Sequence, residues 1–152
     1  MASVVPTNGS CLINIISEAS MLPSKTFELI VESTPLVSID LVVRSPDKKI
    51  LLGKRVNRPA QGYWFVPGGR ILKDEPIKLT FKRLLDIELA IEPADIQTPL
   101  GIYQHFYPDN FSGDKFGTHY VVLAYEISLL NMPFSLPDIQ HSDYKWFEED
   151  EL

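Results

Sequence analysis

Two hydrophobic spacings divide the chain. From Pro35 onward, apolar residues come in short runs rich in Val and Ile: PLVSIDLVVRS, ILLGKR and GYWFVP. Such runs predict three strands, the first two joined as a hairpin through SPDKK and the third leading into a Gly68-Gly69 turn. Three later runs, LGIYQHFYP, THYVVLAYEIS and DYKWFE, predict more strands, with loops at 109–117 and 131–143. The second spacing is helical. SKTFELIVEST predicts a short amphipathic helix from Ser24 to Thr34, with Ser24 as N-cap and Pro35 closing it. From about Glu75 to Ala90, the residues Ile77, Phe81, Leu84, Leu85 and Ile91 share one face at about 100° per residue. Asp74 or Glu75 serves as cap and Pro76 takes the first helical position, where a missing N–H costs nothing. Strands outnumber helices without alternating with them, so the expected class is α+β: a mixed β-sheet covered by helices, not a doubly wound parallel sheet.

One residue breaks the second helical pattern. Glu88 falls near the centre of the apolar face. A buried bare carboxylate is costly, so Glu88 must be solvated at a helix end, paired, or bound to a cation. Gly68, Gly69 and Arg70 precede the helix, Glu75 stands at its start, and Arg83 lies on it with Glu88. Glycines let backbone groups approach a phosphate or metal closely, and a turn running into a helix N-terminus suits an anion.

Composition narrows the possibilities. The 152 residues, 45% hydrophobic and 22% charged, suit one globular domain, expected over 23–152 after an N-terminal extension at 1–22. Net charge is −6, and no cluster of Lys and Arg could track a nucleic-acid backbone, which argues against nucleic acid as a partner. The single cysteine, Cys11, fits a reducing cytoplasm. No apolar run approaches a membrane span, and the first residues lack the basic start of a secretory signal.

GGRILKDEPIKLTFKRLLDIELAI resembles a degenerate Nudix box. Gly69, Glu75, Arg83, Leu85, Glu88 and Ile91 match its pattern, whereas Leu84, Ile87 and Ala90 depart from it. In the full box, carboxylates at the positions of 84, 87 and 88 hold several divalent ions that assist attack on phosphorus. Here only Glu88 remains. These departures, together with STPLVSIDLVV, LLGKRVNRPAQGYWFVPGGR, YQHFYPDNFSGDKFGTHYVVL and LPDIQHSDYKWF, are similar to the GDP-mannose mannosyl hydrolases, over roughly Phe27 to Phe147.

The resemblance implies a Nudix fold and hydrolysis of GDP-mannose, or a related GDP-hexose such as GDP-glucose, by water attack at sugar C1 with inversion. It implies one Mg²⁺ held by Glu88, Gln140 and the Gly68 carbonyl, with His141 as general base. Arg55, Arg70 and Tyr120 match residues that act on the diphosphate side, and Asp40 and His105 match substrate contacts. Arg83 is expected to pair with Glu75 or Glu88, and Phe27 is an aromatic candidate for the guanine. A homodimer is implied, as is a C-terminal helix that this chain, ending at Leu152, does not contain. Ala90 replaces the box glycine and would be strained if its φ is positive. Two rival readings remain: a conventional Nudix pyrophosphohydrolase, disfavoured by Leu84 and Ile87, and a nucleotide-sugar binding protein without catalysis, disfavoured by Gln140-His141.

Overall fold

The computed structural model describes residues 22–91, 99–128, 136–138 and 140–152. The expected N-terminal extension, with Cys11, lies outside the described residues apart from Leu22. Helix α1 (Ser24–Ser33) is followed by strands β1 (Leu36–Arg44), β2 (Ile50–Arg55), β3 (Trp64–Phe65) and β4 (Gly68–Arg70). Helix α2 (Ile77–Leu89), strands β5 (Pro99–Tyr107), β6 (Thr118–Ser128) and β7 (His141–Phe147), and a 3₁₀ turn at Glu149–Glu151 complete the order.

The strands form one seven-stranded sheet, in the order β3-β2-β1-β6-β5, with β4 paired to β1 and β7 to β2. β1 and β6 run parallel from Leu36↔Tyr120 to Arg44↔Ser128, and the other pairings are antiparallel. The class is the expected α+β with a mixed sheet.

Period-two alternation assigns the two faces of the sheet. On β1, Ile39, Leu41 and Val43 join Leu51, Tyr125 and Ile127 in a core that takes Phe81, Leu84, Leu85 and Leu89 from α2. The intervening Leu36, Ser38 and Asp40, with Thr118, Tyr120 and Val122 of β6, face a cavity on the opposite side, to which α1 contributes Phe27 and Val31. The sheet thus separates the α2 core from the cavity.

Several local expectations are corrected. Gly68-Gly69 is no turn: it is β4, paired as Ile39↔Gly69 and Asp40↔Gly68. A Cβ on Gly68 would lie 2.4 Å from the Ile39 carbonyl oxygen, so glycine is needed for close strand approach. The glycines therefore do not run into a helix N-terminus. Pro76 is the N-cap of α2, not its first helical residue, and neither Asp74 nor Glu75 caps it. Pro23, not Ser24, caps α1. The β1–β2 hairpin pairs only at Arg44↔Ile50, because β1 is taken up by β4 and β6. His141 begins a strand where a loop to 143 was expected. Ile77, counted on the apolar face of α2, is 44% exposed.

Candidate active site

Glu88 is 2% exposed, so solvation at a helix end does not apply. Its Oε1 accepts a hydrogen bond from Gln140 Nε2 at 3.0 Å. Its Oε2 lies 3.9 Å from His141 Nδ1. Burial pushes the Glu88 carboxyl up to about 7, against the opposing charges of Arg55 and Arg83. Burial and then Arg55 push the His141 imidazole down to about 4. The fold thus brings together a buried carboxyl, an amide and a neutral imidazole from α2 and the start of β7.

Arg83 pairs with Glu75 and not with Glu88. Its Nε meets Glu75 Oε1 at 2.7 Å and its Nη2 meets Oε2 at 2.8 Å, a bidentate pair. The Leu72 N–H and the Thr80 hydroxyl also donate to Oε2. Burial raises the Glu75 carboxyl, yet these donors together hold it below its usual value. Arg83 Nη2 also donates to the Arg70 carbonyl at 2.9 Å, tying α2 to β4.

The cavity has a volume of about 280 Å³, and Asp40, Arg55, Gly68, Arg70, His105, Tyr120 and Gln140 all line it. Among the described residues, neither Arg55 nor Arg70 has a carboxylate within ion-pair distance. Arg55 Nε is held by the Pro59 carbonyl at 3.0 Å. The Arg70 guanidinium sits 4.1 Å over the Phe27 ring, whose centroid is 4.7 Å from that of Phe111. Phe27 thus packs against both Arg70 and Phe111 at the cavity. Asp40 interrupts the apolar run of β1. It lines the cavity with Oδ2 3.8 Å from His105 Nε2, its carboxyl pushed up to about 6 by burial against the Arg55 charge. Tyr120, also in the wall, has its hydroxyl pKa raised by burial against the charges of Arg70 and Arg55.

His141 and Glu88 are not wall residues. The neighbours of His141, Gln140 in the chain and Arg55 across the ladder, are. Sequence reasoning missed what shapes this region. Gly53 leaves room for the imidazole, since a Cβ there would lie 2.5 Å from His141 Cγ and Cδ2. The signal was a glycine inside the apolar run ILLGKR. It also missed Tyr144, whose hydroxyl lies 3.1 Å from His141 Nδ1. The loop at 109–117, which supplies Phe111, is braced by fully buried Asn110, which donates to the Phe116 carbonyl and accepts from Ser112.

Leu84 shows why the box is incomplete. It is 2% exposed, and a Cβ on Gly69 would come within 2.8 Å of its Cδ2. A methyl group fills the space between α2 and Gly69 of β4. Among the described residues, no three His, Cys, Asp or Glu side chains are placed to share a metal. The Gln140 amide, hydrogen-bonded to Glu88, nonetheless carries a hard oxygen donor, and Mg²⁺ typically takes one or two carboxylates and completes its shell with water and phosphate. A buried carboxyl whose neighbouring arginine is engaged elsewhere fits such a cation.

The mixed sheet, the strand-loop-helix of β4 and α2, and the cavity beside them define a Nudix fold. A NUDIX domain model matches residues 34–152, and the chain belongs to the Nudix family of hydrolases. It is similar to the low-salt glycan biosynthesis protein Agl8 of Haloferax volcanii, 39% identical over 127 residues, covering 84% of this chain and 80% of that protein. It resembles the structure of a MutT NUDIX hydrolase from Burkholderia pseudomallei, at TM-score 0.61 and 25% identity, covering 76% of this chain and 84% of that one. The fold is shared with the NUDIX domain of Shewanella oneidensis NrtR complexed with ADP ribose, at TM-score 0.58 and 24% identity, covering 86% of each chain. Nudix hydrolases generally use divalent metal ions.

Proposed function

We propose that this Nudix hydrolase cleaves GDP-mannose, or a closely related GDP-hexose, at the sugar C1, releasing GDP and the free hexose with inversion. The observation that carries the reading is the cluster of Glu88, Gln140 and His141, with Leu84 packed where a further metal carboxylate would be required for attack on phosphorus. The similarity to a protein named for glycan biosynthesis supports a sugar-linked nucleotide as substrate.

Glu88, Gln140 and the Gly68 carbonyl would hold one Mg²⁺, which supplies positive charge to the departing diphosphate. Arg55 and Arg70, cationic and without carboxylate partners among the described residues, grip phosphate oxygens in the cavity, and Tyr120 adds a hydroxyl. Bond cleavage at C1 builds charge on both sides: oxocarbenium character on the sugar and negative charge on GDP. With the leaving group stabilised in this way, no second carboxylic acid is needed. Asp40 and His105 contact the sugar side. His141, one residue behind the cavity wall and next to Gln140, is the base that takes the proton from the attacking water.

Proton NMR of the products tests the proposal. With GDP-mannose and Mg²⁺ the first sugar signal should be β-mannose, with GDP as the nucleotide. GMP with mannose 1-phosphate would instead make the protein a pyrophosphohydrolase. Binding without turnover would make it a nucleotide-sugar binding protein.

A further inference from the structure

The hydroxyl of Tyr144 has a single proton, and the geometry fixes where it goes. Tyr144 Oη lies 2.7 Å from the Pro137 carbonyl oxygen, which can only accept. The phenol therefore donates to Pro137 and presents a lone pair to His141 Nδ1, 3.1 Å away. An uncharged imidazole facing an acceptor must carry its proton on Nδ1. Nε2 is then left with a bare lone pair, and it is buried without a hydrogen-bond partner among the described residues. Gly53 lets the ring lie flat in this position.

We infer that Tyr144 is a positioning residue that holds His141 in the Nδ1–H tautomer, so that Nε2 is the nitrogen that accepts the proton. This rests on the reading of His141 as general base. Tyr144 touches neither the cavity nor the reacting atoms, since it is absent from the cavity wall. It acts through the orientation of the imidazole, as partners behind a functional histidine do. Tyr144→Phe keeps the ring, whose centroid is 5.2 Å from that of His141, and removes only the acceptor oxygen.

The test is long-range ¹H–¹⁵N NMR of the full chain, labelled in its three histidines and free of added metal, with the His141 signals assigned by their loss in His141→Gln. The wild type should show protonated Nδ1 and bare Nε2. Tyr144→Phe should shift the ring toward Nε2–H and lower kcat for GDP-mannose by about 10- to 100-fold with KM little changed. A wild-type ring already protonated on Nε2 would overturn the inference, as would a Tyr144→Phe tautomer or kcat identical to wild type. Undiminished turnover by His141→Gln would instead reject the base reading, whatever the wild-type tautomer, so the two failures are distinguishable.

Discussion

Glu88 Oε1 accepts a hydrogen bond from Gln140 Nε2 at 3.0 Å, joining residues 52 positions apart. Glu88→Gln keeps an acceptor at Oε1 and removes the charge. It should abolish the Mg²⁺ binding seen by calorimetry and lower turnover by at least about 10²-fold, because an ion at a developing anion supplies several kcal/mol. The fold should survive, as judged by circular dichroism. Full Mg²⁺ binding by this variant would remove Glu88 from the ligand set.

Glu88 and His141 should hide one another's pH dependence. In the folded, metal-free protein the carboxyl titrates at about 7 rather than 4.5 and the imidazole at about 4 rather than 6.5. Between about pH 4.5 and 6.5 the unfolded pair carries its proton on His and the folded pair carries it on Glu, so the proton count barely changes and this pair adds little slope. The single variants separate the terms. With a raised folded value, Glu88 alone, in His141→Gln, should make stability fall as pH rises from about 4.5 to 7. With a lowered folded value, His141 alone, in Glu88→Gln, should make stability rise with pH from about 4 to 6.5. Each slope should amount to about 3 kcal/mol at most across its window. Urea unfolding in EDTA at several pH values reads both, and parallel curves for the two variants would contradict the assignment.

Arg83→Met should destabilise the protein by about 3 kcal/mol in urea, because it leaves the Glu75 carboxyl, whose side chain is 7% exposed, without its cation. Glu75 is held below its usual value, so in the wild type its contribution is present above pH 4.5 and lost as pH falls through the folded value. The variant should lack much of that acid-side loss.

Ala90 closes α2 at φ 53, ψ 38, in the left-handed region, with its N–H bonded to the Asp86 carbonyl. Glycine carries no Cβ penalty there, so Ala90→Gly should stabilise the fold by about 1 kcal/mol despite the extra freedom of the unfolded chain. In a domain of this size the melting temperature should rise by about 2–4 °C, and a fall would show that the turn relaxes without strain.

The strand runs and the apolar face of α2 were legible because side-chain alternation and helical spacing directly reflect which side is buried. The misplaced carboxylate was legible for the same reason: Glu88 interrupts a face that the fold buries. What escaped depends on contacts between distant segments. Gly68-Gly69 reads locally as a turn, and only the approach of β1 makes it a strand. Phe27 reads as a free aromatic until Arg70 and Phe111 fill its surroundings. Tyr144 lies three residues from His141, yet its role depends on the Pro137 carbonyl, which alternation along a strand does not reveal.

Attack at carbon rather than phosphorus is the central claim, and isotope placement tests it most directly. The protein is incubated with GDP-mannose and Mg²⁺ in ¹⁸O-labelled water and the products are weighed by mass spectrometry. The account predicts label in free mannose and none in GDP. Label in GMP or in mannose phosphate would contradict it.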